Sequence, residues 1–434
     1  MSRVHRSFAQ IAAVLAFGGT AVLISGCGGG GGAIVSTGGG GSTALTSIRF
    51  NDPSKAPSAN LLFDGGKWTT KAGATVTAIG EGDINQQSKQ AGQTCMTCHA
   101  GVHSEYRAER QVANATGLDT AGMPDSHNAH GENFLDGSGG MRAKLTMASC
   151  VPCHTNGAQE EGGYDEGQPA TAAANLPYLG IQCENCHGPG GAHAAAGGDK
   201  SLINGVPDAK QTCWSCHVPK SQKWLWETQG LIAATTDAAL EATKPGSVAV
   251  HHPQAAMLNG VYGYEYPGKT YQFSARGHVN IKNSCITCHL TQGLSAATGK
   301  ADHSRTSLQV DTAVCASCHP NPNTLIADAE EEMVAMLIEL GGEDGANPGH
   351  PDQTVSGGLL GEIAAANPAL AADIKDGTNN SKDDKATKAY KAARHNFMFI
   401  EEGDKSSGIH NFAYAEQLLK DSIGDLNAIL HPAT

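Results

Sequence analysis

The chain lacks the aromatic residues that normally build a large hydrophobic core. Phe, Trp and Tyr together make up only 5% of its 434 residues, whereas glycine alone occurs 55 times. A chain of this length usually forms two or three domains, so a conventional apolar core is thin for its size. We therefore expect that something other than side chains supplies part of the interior.

Positive charge is scarce as well. The sequence has 29 Lys and Arg against 42 Asp and Glu, which gives a formal net charge of −13. Such a surface repels nucleic acid and anionic membranes, and it favours cationic partners, metal ions or positively charged mineral. Because of this repulsion, we expect no nucleic-acid partner. The same net charge is equally well explained by a need for solubility.

Long apolar runs are absent except near the N-terminus. There, Arg3 and Arg6 precede an apolar run over residues 11–24, and small residues follow it. These are the three parts of an export signal, which we assign to residues 1–26. The run is short for a bilayer span, and no other run approaches the roughly twenty residues that a transmembrane helix needs. We predict that the protein is exported.

The end of this signal resembles the lipobox of bacterial lipoproteins. Residues 24–27 are Ile-Ser-Gly-Cys, and the resemblance implies cleavage before Cys27 and acylation of that residue. Residues 27–45 contain two glycine runs and are predicted to form a flexible tether with a reach of about 25 Å. We predict an outer-membrane lipoprotein that faces the periplasm or the cell surface. The alternative is an ordinary secretory signal followed by an isolated cysteine.

Cysteine is abundant, and its spacing is the most informative pattern in the chain. Twelve of the 13 cysteines lie in six Cys-x-x-Cys-His pentapeptides. We number them motif 1 (95–99), motif 2 (150–154), motif 3 (183–187), motif 4 (213–217), motif 5 (285–289) and motif 6 (315–319). In such a motif the two thiols add to the vinyl groups of a haem, and the histidine becomes the proximal ligand of its iron.

Other uses of paired cysteines explain the pattern less well. A structural zinc site needs four ligands and places its histidines at a separate spacing. A redox pair has no use for the repeated histidine, and disulfide scaffolds belong to short secreted chains. We therefore predict six covalently bound haem c groups. The predicted attachment residues are Cys95, Cys98, Cys150, Cys153, Cys183, Cys186, Cys213, Cys216, Cys285, Cys288, Cys315 and Cys318, and the proximal ligands are His99, His154, His187, His217, His289 and His319.

The remaining histidines are numerous enough to close every iron with a second histidine. Of the 19 histidines, six are proximal and His5 lies in the signal, which leaves twelve in the mature chain. We predict His193, His278 and His303 as distal ligands because each follows or precedes a motif closely, and His410 because it lies just before a predicted helix. No motif ends in lysine, the substitution that opens a catalytic iron in nitrite reductases.

Two further distal ligands are needed. We assign them to His130 or its alternative His127, and to His251 or its alternative His252. Each of these histidines is equally well explained as a surface residue or as a hydrogen-bond partner of a haem propionate. His103 is four residues past His99, so it would lie on the same helical face as that proximal ligand and point away from the other side of the iron; we therefore disfavour it. The histidines held in reserve are His350, His395 and His431.

The motifs also divide the chain. Residues 46–90 form a small N-terminal segment in which 61–77 has β character, residues 91–326 carry all six motifs, and residues 327–434 are helical. The predicted helices span 328–340, 385–401 and 411–430, with a Gly- and Asp-rich loop region between the first and the second. We expect a multihaem cytochrome c fold, mainly helix and loop wrapped around a haem chain, with little β structure and long C-terminal helices.

Three stretches resemble the superfamily of pentahaem nitrite reductase, the octahaem nitrite and tetrathionate reductases and related multihaem cytochromes. They are residues 183–193, 285–303 and 392–411, and the resemblance covers about 150–430. It implies that His193, His303 and His410 are distal ligands and that long helices follow the last haem. The catalytic lysine haem of the reductases has no counterpart here. The lipobox and tether resemble outer-surface cytochromes of bacteria that respire metal oxides or electrodes.

Three functions follow as hypotheses. The first is electron transfer along the haem chain to another c-type cytochrome, an outer-membrane electron conduit, a metal oxide or an electrode surface. The second is a reductase of a nitrogen or sulfur oxyanion with one open haem. The third is a subunit of a homo-oligomer or polymerised filament. We expect an electron carrier with no catalytic residue, because irons with two histidine ligands have no open position for a substrate. We expect its lipid to hold it at the membrane.

Overall fold

A computed structural model describes much of the chain beyond the N-terminal region. It covers residues 60–64, 67–80, 94–99, 151–158, 162–169, 172–203, 213–214, 216–219, 235–247, 250–271, 277–281, 284–289, 310 and 312–432. These residues are mainly helical, and the one sheet among them has two strands. The predicted class, mainly helix with little β structure, is therefore confirmed. In the described part of the chain, no helix combines the length and apolarity that crossing a membrane requires.

The two strands form a hairpin in the N-terminal segment. β1 (Leu61–Asp64) pairs antiparallel with β2 (Lys67–Thr70), with Phe63 opposite Trp68. The indole of Trp68 is buried, and its backbone carbonyl accepts a hydrogen bond from the amide of Val76 (2.9 Å). The chain then runs to Gly80, whose carbonyl accepts the amide of Cys95 (3.3 Å). The hairpin thus leads directly to motif 1.

The haem motifs lie on short helical turns. α1 (Cys95–Cys98), α2 (Val151–His154), α3 (Cys183–His187) and α7 (Ser284–His289) carry motifs 1, 2, 3 and 5, and the 3₁₀ turn Thr312–Ser317 begins motif 6. In motif 4 the amide of His217 donates to the carbonyl of Cys213 (2.9 Å), which closes a single helical turn. Because the motif spans one turn, its second cysteine (i+3) and its histidine (i+4) both lie next to its first cysteine on the helix surface.

Other short elements join these turns. They are α4 (Gly191–Ala195), α5 (Asp237–Glu241), α6 (Gln254–Asn259) and the 3₁₀ turns Leu176–Tyr178, Lys200–Leu202, Pro245–Ser247 and His278–Asn280. Gly260 closes α6 in the left-handed conformation (φ 64°), which an L side chain adopts only with strain. The region that carries the motifs is therefore short helices and loops.

The C-terminal region is a bundle of longer helices. Its elements are α8 (Pro322–Gly341), α9 (Gly358–Ala366), α10 (Pro368–Asp376), α11 (Lys385–Met398), the π-helical segment Phe399–Asp404 and α12 (Phe412–Leu430). α8, α11 and α12 confirm the three predicted helices with different bounds. α8 begins six residues earlier than predicted, and α11 ends three residues earlier, where the π-helical segment begins. Met333 and Leu337 of α8 pack with Tyr414 and Leu418 of α12 in the main core, which also includes Met257 of α6. The bundle therefore packs directly against the segment that carries His251 and His252.

The prediction of a loop region between α8 and α11 was partly wrong, because the helices α9 and α10 lie there. Their apolar faces are buried through Leu360, Ile363 and Leu370. Asn367 caps α10 by accepting the amide of Leu370 (3.1 Å), and Pro368 occupies its first turn. Helices of nine residues are marginal in isolation, so packing on the core rather than local propensity stabilises them. The segment was predicted as a loop because it is rich in Gly and Asp, although it also contains these two short runs of apolar residues.

One reserve histidine lies in this core rather than near a motif. His395 of α11 is only 4% exposed, and its Nε2 atom donates to the backbone carbonyl of Tyr262 (2.9 Å). Its ring packs against Phe399. Burial lowers the pKa of His395 from 6.5 to about 4, because a charged ring would lose its hydration. The ring is therefore neutral in the folded protein near pH 7.

We expect His395 to make stability fall in mild acid. The unfolded chain takes up a proton at this ring below pH 6.5, whereas the folded protein resists until about pH 4. The stabilisation is thus complete above pH 6.5 and is lost towards pH 4, by about 3 kcal/mol at about 1.4 kcal/mol per pKa unit. Denaturant unfolding of wild type and His395→Gln between pH 7 and pH 4 measures this loss. Equal pH slopes for the two proteins would contradict the expectation.

Candidate metal centres

Four motif histidines each face a second histidine across a gap of the same width. The ring centroids are 6.2 Å apart in the pairs His99–His193, His289–His410, His319–His278 and His154–His251, and His154 lies 6.2 Å from His252 as well. The angles between the ring planes differ widely, from 18° in the first pair to 45° in the second and 89° in the third. Ring stacking would fix the angle between the ring planes as well as the distance between the centroids. Because the angle varies while the distance does not, stacking does not explain the constant distance.

A metal ion held between two imidazoles would provide that cause. Imidazole nitrogens bind metals such as zinc at about 2.0 Å, and the ring centroid lies about 1.1 Å behind the nitrogen, so two opposed rings would stand about 6.2 Å apart. Such an ion would set this distance and leave each ring free to rotate about its bond. The histidine pairs therefore fit an iron held between a motif histidine and a second histidine.

Hydrogen bonds orient several of these rings. The Nδ1 atom donates to a backbone carbonyl in His193 (Asp199, 2.9 Å) and in His278 (Ile409, 2.8 Å). In His217 it donates to Oε1 of Gln254 (3.0 Å). A proton on Nδ1 leaves the lone pair on Nε2, the atom that then binds a metal. Burial lowers the pKa of His278, and it also lowers the pKa of His217, which favours the neutral, ligating form of both rings.

His410 differs because its Nδ1 partner is a carboxylate. Nδ1 lies 2.7 Å from Oδ1 of Asp404, whose side chain is completely buried and also accepts the hydroxyl of Ser406. Asp404 ends the π-helical segment, a widened turn that places its carboxylate against the ring. Burial disfavours a charged His410, but the Asp404 carboxylate outweighs this and raises the pKa of the ring. A buried anion thus lies directly behind one candidate ligand.

A buried glutamate joins the first three motifs. Glu184, inside motif 3, is 1% exposed and accepts four hydrogen bonds. The donors are the amides of Ile79 (2.9 Å), Gly80 (3.0 Å) and Gly190 (2.7 Å) and the side-chain nitrogen of Asn156 (2.6 Å). All four groups donate, which suits an ionised carboxylate, a group that only accepts. Burial raises the pKa of Glu184, and the hydrogen bonds act in the opposite direction.

The donors come from three different parts of the molecule. Gly80 also binds motif 1 through its carbonyl, Asn156 follows motif 2, and Gly190 begins the turn that leads to His193. Sequence reasoning treated Glu184 only as a variable residue inside Cys-x-x-Cys-His. The available signal was charge. Of the twelve variable residues inside the six motifs, Glu184 alone is acidic, and the other eleven are neutral.

Motifs 4 and 5 also meet, although their first cysteines are 72 residues apart. Cys213 and Cys285 both pack against a buried cluster that includes Trp214, Val218 and Leu258. Along the chain, the close pairs are motifs 3 and 4 and motifs 5 and 6, whose first cysteines are 30 residues apart. The fold adds a contact between those pairs.

The remaining predicted residues are placed as follows. The described cysteines of the motifs are half-buried or exposed: Cys95, Cys98, Cys153, Cys183, Cys186, Cys213, Cys216, Cys285, Cys288, Cys315 and Cys318. His187 lies exposed at the end of α3, and His350 and His431 are exposed in the C-terminal region. Cys27, Cys150, His103, His127, His130 and His303 lie outside the described residues.

Comparison with known proteins agrees with this chemistry. Residues 94–188, which include motifs 1 to 3, match the family model described as cytochrome c554 and c-prime. The match covers less than a quarter of the chain. No curated protein and no solved structure matches the chain significantly. The match supports a c-type cytochrome, a class of proteins that binds haem c covalently and transfers electrons.

Proposed function

We propose that the protein is an electron carrier with six haem c groups, each closed by two histidine ligands. The observation that carries the proposal is the repeated 6.2 Å separation between a motif histidine and a second histidine. The proposed pairs are His99 with His193, His154 with His251, His289 with His410 and His319 with His278. His187 and His217 are the remaining proximal ligands, and His130 and His303 remain proposed distal ligands.

Contacts between neighbouring motifs support passage of electrons through the molecule. Glu184 joins the surroundings of motifs 1, 2 and 3, and Asn185 of motif 3 donates to the carbonyl of Thr155 beside motif 2 (3.1 Å). Motif 4 meets motif 5 where Cys213 and Cys285 pack against the same buried cluster. His278, just before motif 5, faces His319 of motif 6. Haem groups bound at these motifs would be neighbours, and they would fill the interior that the few aromatic residues leave short.

The sequence at the N-terminus supports a location for this activity. A lipid on Cys27 would anchor the exported chain to the outer membrane, and the glycine-rich tether would hold the haem-bearing part away from the lipid. The acceptors that suit such a carrier are another c-type cytochrome, an outer-membrane conduit, a metal oxide or an electrode surface. A homo-oligomer or filament of these carriers would extend the route beyond one chain.

Low-temperature EPR of the oxidised holoprotein tests the proposal. We expect only low-spin iron, and no binding of carbon monoxide or nitrite after reduction, because two histidines occupy the axial positions of every iron. The pyridine haemochrome assay gives the number of haems per chain. A high-spin signal, or stoichiometric binding of carbon monoxide or nitrite at one iron, would overturn the proposal in favour of a reductase with one open haem.

A further inference from the structure

Two consecutive histidines lie between motifs 2 and 4. The rings of His251 and His252 are 4.0 Å apart, and both lie 6.2 Å from the ring of His154 in motif 2. One ligand nitrogen from each of these three residues falls within 4.8 Å of the others. The ring of His252 is also 5.5 Å from the ring of His217 in motif 4, edge towards face. The pair therefore faces two motif histidines at once.

An iron in haem that already carries His154 has one axial position left, so it accepts only one of the two rings. His217 in turn needs a partner of its own. We propose that His251 and His252 ligate two different irons, His251 the iron of motif 2 and His252 the iron of motif 4. This assignment rests on the proposed function and extends it to a residue that the sequence offered only as an alternative to its neighbour. Only the iron of motif 3 then still lacks a second ligand, so one of His130 and His303, not both, would provide it.

The backbone around His252 supports the division. His252 has a φ of 49°, in the left-handed region that a non-glycine residue rarely enters. Its position before Pro253 disfavours this conformation further, since that position prefers an extended chain. Strain of this kind persists where the surrounding structure imposes it, and it is concentrated at functional sites. Here the strain falls on the residue whose ring neighbours both His154 and His217.

The residues after His252 are attached to motif 4. The amide of Ala255 donates to the carbonyl of His217 (2.9 Å), and Gln254 accepts from Nδ1 of the same ring (3.0 Å). The amide group of Gln254 is itself fixed by donating to the carbonyl of Gly403 (2.8 Å). These bonds hold the proton of His217 on Nδ1 and so leave the lone pair on Nε2. The centroid distance of 5.5 Å between His217 and His252 is within about 1 Å of the distance that two imidazoles on one iron would have.

The assignment has a consequence for the route of electrons. Motifs 2 and 4 are separated along the chain by motif 3, yet their irons would be joined by ligands from two consecutive residues. A direct step between motifs 2 and 4 then links the group formed by motifs 1, 2 and 3 to the pair of motifs 4 and 5. His251 and His252 would thus provide the ligands at the point where the haems of motifs 1 to 3 connect to those of motifs 4 and 5.

Three variants of the full holoprotein test the assignment: His251→Asn, His252→Asn and the double variant. Asparagine tolerates a positive φ and is a poor ligand for haem iron, so it removes the ring without adding backbone strain. EPR counts low-spin against high-spin iron relative to wild type. We expect each single variant to convert one iron to high spin and the double variant to convert two. Added imidazole should restore the low-spin signal at the converted irons, and a circular-dichroism spectrum and unfolding midpoint close to those of wild type would show that the variant is folded.

A matched control is His350→Asn, at an exposed histidine of the C-terminal region, which should leave the spectrum unchanged. The assignment is overturned if the double variant converts only one iron, since the two rings would then be alternatives for a single site. It is also overturned if neither single variant converts any. If His252→Asn yields no holoprotein, His252→Met keeps an axial ligand and should raise the potential of one haem. An unchanged set of potentials in His252→Met would again overturn the assignment.

This outcome is independent of the broader proposal. High-spin iron or carbon monoxide binding in the wild-type protein would contradict the electron carrier with six closed irons. The conversion counts are taken as differences from wild type, so they still show whether His251 and His252 serve one iron or two. A wild-type protein with only low-spin iron, combined with a double variant that converts one, would leave the carrier intact and remove the assignment.

Discussion

Replacing Glu184 with alanine is expected to destabilise the region of motifs 1 to 3 by about 4 kcal/mol, since each buried donor left without an acceptor costs about 1–3 kcal/mol. Four donors lose their partner at once, three of them backbone amides that cannot turn away. Water entering the space recovers part of the loss. Because the donors come from different segments, the effect is loss of the contact between those segments rather than a local adjustment.

Amide hydrogen exchange of the holoprotein measures this directly. The amides of Ile79, Gly80 and Gly190 should lose protection together in Glu184→Ala, and denaturant unfolding should show the lower stability. Glu184→Gln has the same shape but only one acceptor oxygen, so it should retain about half of the hydrogen bonds. Its stability should lie between that of wild type and that of Glu184→Ala. Glu331→Ala removes the same charge at an exposed position of α8 and should change little.

The protection pattern decides the result. If Glu184→Ala leaves the three amides as protected as in wild type, the carboxylate does not hold the segments together. If the glutamine variant is as stable as wild type, charge and acceptor number are irrelevant there. A fall in haem content that affects motifs 1 to 3 alone would agree with the expected local effect.

Replacing Asp404 with asparagine is expected to raise the midpoint potential of one haem. A carboxylate bonded to Nδ1 makes His410 a stronger electron donor, and a buried negative charge favours the oxidised iron. Asparagine removes the charge and keeps the shape. A change of about 1.4 kcal/mol in the preference for oxidised iron shifts a one-electron potential by about 59 mV, and we expect a shift of this order.

A spectroelectrochemical titration of wild type and Asp404→Asn measures the shift. Asp199→Asn is the matched control, because His193 is bonded to the backbone carbonyl of Asp199 and not to its carboxylate. This control loses the same unit charge beside another candidate ligand while the bond to the ring remains. A shift of the same size in both variants, a negative shift, or no shift in Asp404→Asn would each contradict direct tuning through His410.

Prediction from the sequence succeeded where the pattern is local. Cys-x-x-Cys-His fits one helical turn, so its chemistry depends on five consecutive residues and not on the fold. Apolar residues at helical spacing predicted α8, α11 and α12 in the same way. α9 and α10 were missed because each is a short helix whose stability comes from packing on its neighbours.

Contacts between distant segments could not be predicted in this way. Which second histidine faces which motif depends on how the chain returns, as His410 does from the C-terminal bundle to motif 5. The same holds for Glu184 and Asp404, since their partners lie on other segments or on an unusual turn. A single sequence contains the residue types for these contacts but no signal of which pairs meet.

The amino-acid sequence by itself thus determined the cofactor chemistry, through motifs that act within one helical turn, and the expectation of export, through an N-terminal signal. Only the tertiary structure decided which histidines lie a metal's width apart, and that two consecutive residues, His251 and His252, both face motif 2 while His252 also lies beside motif 4. The physical reason is range: the five residues of a motif are neighbours in the chain, whereas the second histidine that faces a motif histidine is brought there by packing of segments that are far apart along it.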